Sequence, residues 1–211
     1  MLHRRTIVCV LVLSLLVFPS LVLSKADFVS LFNGKDLTGW KVVGAGDWRA
    51  VDGELRGPGA GGGWLRSEAK YRDFVLRLEY RIEPGGNSGI FLRATDEGDP
   101  AFTGMEVQIL DDYGKPPKKT GSGSIYAAVA PRVNASNPAG EWNRAQIACI
   151  GNMVTVWLNG RRIVRADLTD PKMNAEITRG PTFDKRAQTG YVGLQNYGVP
   201  VTFRNIELRK V

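Results

Sequence analysis

Strict alternation of apolar and polar residues along one segment, Phe74–Ile82, constrains the fold more than any other feature of this sequence. Every second residue from Phe74 to Ile82 is apolar, and Arg77, Glu79 and Arg81 occupy the other parity, with Val75 as the exception. Successive side chains on a strand point to opposite faces of a sheet. The segment is therefore predicted to be an antiparallel strand with one buried face and one solvated face.

Tight-turn signals separate such segments along the rest of the chain. The strongest are Asp52-Gly53 and Asn159-Gly160, because a type I′ hairpin turn needs positive φ at both central positions. We count about a dozen short strands and no amphipathic helix, with residues 168–182 as the one candidate for a helical turn or long loop. The pattern predicts an all-β fold with little helix, a jelly-roll β-sandwich of two antiparallel sheets.

The last strand, residues 201–211, carries a break in its parity. Val201 and Phe203 share one parity, whereas Ile206 and Leu208 share the other. One extra residue in a strand reverses which face the following side chains occupy. We therefore predict a β-bulge near Arg204-Asn205 that brings both apolar pairs to the core.

The first 26 residues have the features of a signal peptide. His3, Arg4 and Arg5 precede an apolar run, and a small-x-small cleavage site follows at residues 24–26. The sequence therefore predicts a signal peptide over 1–26, a single β-sandwich domain over 27–211 and a periplasmic or secreted location. An uncleaved anchor is the alternative, since the apolar stretch 7–23 is near the lower length limit for a membrane span.

Composition excludes several kinds of chemistry for residues 27–211. The only histidine is His3, so a Ser-His-Asp triad, a histidine base and a histidine-ligated zinc or copper site are all excluded. Cys149 is the one cysteine after residue 26, so no internal disulfide is expected. Three of the 28 basic residues lie in residues 1–26, which leaves 25 against 21 acidic residues. This mild, dispersed charge predicts no nucleic-acid partner.

Residues 85–112 contain the best candidate for a functional site. They are predicted to form two strands in which apolar residues occupy one parity. The other parity carries Arg93 on the first strand and Glu106 and Gln108 on the second. With the apolar parity in the core, these three side chains are expected to stand together on the opposite face. The alternative is an ordinary solvated sheet face with an incidental salt bridge.

Seven motifs in a fixed order extend across nearly all of residues 28–211. They are LFNGKDLTGW, GNSGIFLR, GMEVQILDD, GSIY, GEWN, VWLNG and GYVGLQNYGVPVTFRNIEL. Together they resemble the 3-keto-disaccharide hydrolase domain, also described as 3-keto-glucoside-1,2-lyase/3-keto-2-hydroxyglucal hydratase. The resemblance implies a concanavalin A-like β-sandwich, in agreement with the strand pattern.

The resemblance also implies a reaction on glucosides already oxidised at C3. A ketone at C3 acidifies the proton on C2, because the carbanion is delocalised as an enolate. A base removes that proton, the C1 substituent leaves, and water adds to the unsaturated keto sugar. Such a route differs from the two-carboxylate mechanism of ordinary glycosidases.

Roles for individual residues follow from this implied chemistry. Glu106 is the expected base, with its pKa raised by desolvation, and Arg93 or a metal is expected to stabilise the enolate. The two roles conflict, since a neighbouring guanidinium would lower the pKa of Glu106. Any metal would be calcium, magnesium or manganese, held by Glu106 or Asp111. The predicted substrate-binding residues are Asn87, Gln108, Asp111, Tyr126, Gln195, Tyr197 and Trp64.

Three points remain open at this level. Asp111 fits a turn residue at a strand end as well as a ligand-binding role. Many members of the resembled family carry a histidine at the position of Tyr197, and a phenol is a poor base at neutral pH. A non-catalytic, lectin-like carbohydrate-binding module on the same fold is therefore the alternative function, followed by a purely structural interaction domain.

Overall fold

The computed structural model describes residues 27–211, so the predicted signal peptide at 1–26 lies outside the described residues. Thirteen strands, two short α-helices and one 3₁₀ turn (Phe183–Lys185) make up this part of the chain. The helices are α1 (Pro100–Thr103) and α2 (Pro171–Ala175). The strands are β1 (Val29–Ser30), β2 (Trp40–Val43), β3 (Arg49–Val51), β4 (Glu54–Gly57), β5 (Trp64–Tyr71), β6 (Phe74–Ile82), β7 (Asn87–Ala94), β8 (Met105–Leu110), β9 (Asn143–Ile150), β10 (Met153–Leu158), β11 (Arg161–Asp167), β12 (Gly190–Gln195) and β13 (Val201–Lys210). Within 27–211 no helix has the length and apolarity needed to cross a membrane.

The strands form two antiparallel sheets. The larger, eight-stranded sheet has the order β11-β10-β9-β6-β13-β4-β3, with β1 paired to β13. The smaller, five-stranded sheet has the order β2-β5-β12-β7-β8. Both sheets contribute to one buried apolar cluster, in which Leu76 and Leu78 of β6 lie with Ile90 and Leu92 of β7. The predicted all-β sandwich of two antiparallel sheets is confirmed.

The turn predictions are confirmed by the backbone angles. Asp52 and Gly53 have φ of 53° and 77°, and Asn159 and Gly160 have φ of 49° and 80°. Positive φ at two consecutive positions matches the twist of the flanking strands, which is why these dipeptides close hairpins. They join β3 to β4 and β10 to β11.

The predicted bulge in the last strand is also confirmed. The pairing of β13 with β6 shifts register between Arg204 and Glu207, and Asn205 has φ of 51°. All four apolar residues of the strand, on both sides of the bulge, are buried in the shared core. The extra residue reverses the parity of the strand, and burial of both apolar pairs favours that reversal.

One short helix was missed. Residues 95–103 look like a polar loop in sequence, but residues 100–103 form α1. The Asp99 carboxylate accepts a hydrogen bond from Ala101 N at 3.0 Å, and Pro100 occupies the first turn, where its missing N–H costs nothing. Helix α1 carries Phe102 to the edge of the five-stranded sheet. The second helix, α2, does lie within the predicted segment 168–182.

Candidate active site

A polar pocket of about 230 Å³ lies on the outer face of the five-stranded sheet, the face turned away from the shared core. Pockets for drug-sized ligands are usually about 300–1,000 Å³, so this one suits a small polar molecule. It brings together six predicted site residues and four that the sequence did not indicate. Its lining residues are Asn87, Asp99, Ala101, Phe102, Glu106, Gln108, Tyr126, Arg179, Gln195 and Tyr197.

The floor of the pocket is formed by three neighbouring strands, β12, β7 and β8. Glu106 and Gln108 are two residues apart on β8 and so project from the same face. Gln108 Nε2 donates to Asn87 Oδ1 on β7 at 2.8 Å, which fixes both amides at the pocket floor. Gln195 ends β12 at the same level. The parity prediction is therefore correct for Glu106 and Gln108.

Glu106 is the chemically distinctive residue of the pocket. Its side chain is only 3% exposed, and no donor among residues 27–211 hydrogen-bonds its carboxyl group. Burial raises its pKa to about 8, and the negative charge of Asp99 adds to the effect. A carboxyl group with this pKa is populated in both protonation states near neutral pH, as a general acid–base group requires.

A glycine provides the space for this carboxyl group. Gly89 on β7 lies next to Glu106, and a Cβ built on Gly89 would overlap Glu106 Oε1, Cδ and Cγ. The φ of Gly89 is not in the left-handed region, so the backbone itself would accept alanine. Glycine is required here for the close approach of the glutamate side chain.

We expect Gly89→Ala to displace the Glu106 carboxyl and to lower kcat of the proposed reaction by about 10²-fold, since a misplacement near 1 Å costs this much. Steady-state kinetics of the single variants and of Gly89→Ala/Glu106→Gln would test this. The double variant should be no slower than Glu106→Gln alone, because both changes remove the same group. If the two substitutions lowered kcat by independent factors that multiply in the double variant, this explanation would be contradicted.

One wall of the pocket is an aromatic and cationic stack built from distant segments. The rings of Phe102 and Tyr126 are 6.2 Å apart and tilted, and the Arg179 guanidinium lies 4.2 Å from the centre of the Phe102 ring. Tyr126 is held in place because its backbone N–H donates to Glu106 O at 2.9 Å. Arg179 thus supplies a positive charge at the pocket.

The rim next to β12 is fixed by Asn196. This side chain is fully buried, accepts a hydrogen bond from Gly59 N at 2.6 Å and donates to Ala60 O at 2.8 Å. The next residue, Tyr197, forms a β-bridge with Asn87 and is 58% exposed. The glycine-rich segment 57–63, which contains Gly59 and Ala60, therefore supports the rim, and Tyr197 is free to contact a ligand at the pocket mouth.

The prediction that Arg93 shares this face with Glu106 is wrong. Arg93 has φ of 52°, which breaks the alternation of β7, and its side chain is 1% exposed and does not line the pocket. Its guanidinium donates to the carbonyls of Arg72 (2.7 Å) and Gly151 (3.0 Å), to Gln188 Oε1 (3.1 Å) and to Asp73 (3.1 Å). Arg93 ties together turns of both sheets, and it does not oppose the raised pKa of Glu106.

Two further predicted residues lie outside the pocket lining. Trp64 is buried and packs edge-to-face on Phe91 with centroids 5.5 Å apart, so it is not an open stacking platform. Asp111 accepts a hydrogen bond from Gly85 N at 2.9 Å, which supports the turn-residue interpretation. Among residues 27–211 no group of three or more carboxylate, histidine or cysteine side chains is placed to hold a metal ion.

Among the pocket residues that were not predicted, some are marked by a local sequence signal and others are not. Asp99-Pro100 is an N-cap followed by proline, a local sequence signal for the start of a helix. Arg179 lies in a loop far along the chain, and no periodicity marks it.

Fold and site define a β-sandwich protein with a small polar pocket built around a buried, weakly acidic carboxyl group on the outer face of its smaller sheet. The chain belongs to the 3-keto-alpha-glucoside-1,2-lyase-like domain family, whose profile matches residues 27–209. The resemblance seen in the ordered motifs is therefore confirmed.

Similar proteins are found both by sequence and by structure. A 3-keto-disaccharide hydrolase of Bacteroides thetaiotaomicron is 26% identical, over 86% of this chain and 78% of that protein. A crystal structure from Parabacteroides distasonis, provisionally described as a glycosyl hydrolase, has a TM-score of 0.76 at 27% identity and covers 87% of this chain and 94% of its own. The carbohydrate binding module CBM66 from Bacillus subtilis, at 15% identity and a TM-score of 0.56 over 83% of this chain and 98% of its own, shares the fold.

Proposed function

We propose that this protein cleaves 3-keto-glucosides, with Glu106 as the base that removes the C2 proton. The observation that carries the proposal is a buried carboxyl group with a pKa of about 8 at the floor of a small polar pocket. Family membership and the relative named as a 3-keto-disaccharide hydrolase support this substrate class.

The proposed reaction starts with ionised Glu106. Its carboxylate takes the proton from C2, and the electron pair of the C2–H bond forms the enolate with the C3 oxygen. The enolate then expels the C1 oxygen substituent, which takes a proton from solvent as it leaves. Water adds across the resulting C1–C2 double bond, so the net result is hydrolysis, and Glu106 returns its proton to the sugar or to solvent.

Burial suits Glu106 to this task. An ordinary glutamate, with a pKa of 4.5, is too weak a base to remove a carbon-bound proton efficiently. A pKa of about 8 strengthens the base by several orders of magnitude, while about a tenth of the group is ionised at pH 7 and about half at pH 8. No histidine is needed, which agrees with its absence after residue 26.

The enolate oxygen requires a partner other than Arg93. In our proposal Arg179 takes this role, because it is the cation that lines the pocket and its guanidinium is stacked on Phe102. The amides of Asn87, Gln108 and Gln195 would hold sugar hydroxyls.

The two tyrosines would complete the site. Tyr126, in the pocket wall, would donate a hydrogen bond to the leaving oxygen, and Tyr197 would cover the mouth. A divalent cation remains an additional proposal, and it is addressed by running the assay with and without a chelator.

The test is to incubate the purified protein with a 3-keto-disaccharide and with the unoxidised parent sugar, and to follow aglycone release. We expect release from the oxidised sugar alone, since only the ketone acidifies C2. Equal cleavage of the parent sugar would contradict the mechanism, because it would require the oxocarbenium route.

The second candidate is a non-catalytic carbohydrate-binding module. The observation that favours it is Tyr197, which stands exposed at the pocket mouth in place of the histidine that the family resemblance implies. This candidate predicts saturable binding of a keto sugar by calorimetry without turnover. Turnover that depends on Glu106 would exclude it.

The charge of Asp99 should be visible in the pH dependence. Asp99→Asn keeps the side-chain oxygen that caps α1 but removes the charge that raises the pKa of Glu106. We expect the rising limb of kcat/KM against pH, which reports ionisation of free Glu106, to move towards lower pH by up to about one unit. Glu97→Gln, a change in an exposed acid outside the pocket lining, is the charge control. An equal shift in both variants would contradict a specific Asp99 effect.

We also propose export to the periplasm or the medium, on the basis of the signal-peptide features of residues 1–26. N-terminal sequencing of the protein recovered from the host would test it. Cleavage near residue 26 is the expected result, and an intact Met1 would favour the anchor alternative.

A further inference from the structure

A second groove, of about 380 Å³, lies on the outer face of the eight-stranded sheet, away from the sheet that carries Glu106. It is lined by Arg144, Gln146, Trp157, Asn159 and Gly160. Asn159 makes one wall rigid, because its side chain accepts from Arg144 N at 2.8 Å and donates to Ala135 O at 2.8 Å. The groove is therefore preformed.

The free polar groups of this groove are all donors. Gln146 and Trp157 are cross-strand partners, and Gln146 Oε1 already accepts a hydrogen bond from Arg77 Nε at 2.8 Å. Across the described residues no acceptor hydrogen-bonds the Gln146 amide nitrogen, the Trp157 indole N–H or the Arg144 guanidinium. A ligand for such a groove has to be rich in acceptor oxygens.

The charged residues around the groove also favour a ligand with anionic oxygens. Arg162 lies opposite Trp157 on β11, and no ion pair within 27–211 involves Arg144 or Arg162. No carboxylate lines the groove. The carboxylate across the sheet from Arg144, Glu79, is occupied by Arg204 Nε at 2.7 Å. Unpaired guanidinium groups favour anionic oxygens, to which they can donate two parallel hydrogen bonds.

We propose that this groove binds an acidic pyranose, a uronate or a sulfated sugar, within a polysaccharide chain. The indole face of Trp157 would pack on the apolar face of the ring, and Arg144 with the Gln146 amide would hold the carboxylate or sulfate. Single-stranded nucleic acid fits less well, because its binding uses several aromatics for successive bases and the groove offers one. This inference does not depend on the reaction proposed for Glu106.

Isothermal titration calorimetry with the purified protein tests the proposal. The probes are oligogalacturonate, a sulfated heparin oligosaccharide, neutral cellopentaose and a single-stranded DNA oligonucleotide of matched charge. We expect one or both acidic saccharides to bind at least about tenfold more tightly than cellopentaose and than the DNA, because charge-assisted hydrogen bonds are lost with a neutral ligand. The two acidic probes distinguish carboxylate from sulfate.

Three variants locate the site. Arg144→Gln and Trp157→Ala should each raise Kd for the preferred saccharide by about tenfold or more, as expected for Arg and Trp anchors. Arg49→Gln removes the same charge from an exposed residue at the far edge of this sheet, where Arg49 pairs with Asp47, and should change Kd less than twofold.

Glu106→Gln should leave this Kd unchanged, which separates the groove from the pocket on the other sheet. Absence of saccharide binding, equal weakening by Arg49→Gln, or tighter binding of the DNA would overturn the proposal.

Discussion

Glu106→Gln is expected to lower kcat for cleavage of a 3-keto-disaccharide by about 10²–10⁴-fold, the usual contribution of a general base. Glutamine has nearly the same shape but cannot accept the C2 proton. The wild-type enzyme should show kcat/KM rising about tenfold per pH unit below a midpoint near the pKa of about 8 that burial and Asp99 give Glu106. Rates measured from pH 5 to 9 would show both effects.

The same substitution should stabilise the fold at high pH. The ordinary pKa of 4.5 is raised to about 8, so the folded protein binds a proton that the unfolded chain has released. Stability of the wild type therefore falls as pH rises from 4.5 to 8 and is constant above that. Glutamine avoids this loss, and we expect the variant to be more stable by about 4 kcal/mol at pH 8 and about equal to the wild type at pH 4.5.

Urea denaturation of both proteins between pH 4.5 and 9 measures this difference. Glu97→Gln is the matched control, because Glu97 is exposed and the same charge is removed. It should change neither kcat nor the pH dependence of stability. A Glu106→Gln variant that keeps the wild-type rate would remove Glu106 from the base role, and one that is less stable at pH 8 would contradict its burial as a weak acid.

Arg93→Met should lower the free energy of unfolding by about 3–5 kcal/mol, the cost of breaking a buried ion pair by removing one partner. The guanidinium donates four hydrogen bonds, two of them to the carbonyls of Arg72 and Gly151. Methionine fills most of the volume but leaves these acceptors without a donor. Chemical denaturation at pH 7 would measure the loss, with Arg49→Met, from an exposed pair, expected to cost less than about 1 kcal/mol.

Kinetics separate this structural role from a catalytic one. Arg93 does not line the pocket, so its substitution removes no contact to the transition state. The folded Arg93→Met variant, assayed well below its Tm, should therefore retain kcat within about threefold of the wild type. A loss of 10³-fold or more in a variant of native stability would restore Arg93 to the role of enolate stabiliser, since a lost oxyanion donor costs about this much.

The sequence by itself determined the two antiparallel sheets, the hairpin turns and the bulge at Asn205, because each follows from the parity of neighbouring residues or from the backbone angles of one dipeptide. It also placed Glu106 and Gln108 on one face, since two residues of the same strand two positions apart cannot do otherwise. The pairing of β7 with β8 then brought Asn87 to Gln108.

Only the tertiary structure decided what surrounds Glu106. Positive φ at Arg93 turned its side chain away from the pocket, and alternation cannot reveal this reversal because only one residue of β7, Ala94, follows Arg93. Phe102 and Arg179 reach the pocket that holds the carboxyl group from a short helix and a distant loop, through contacts that leave no period in the sequence. The raised pKa depends on how these segments exclude water together, and that is a property of packing in three dimensions.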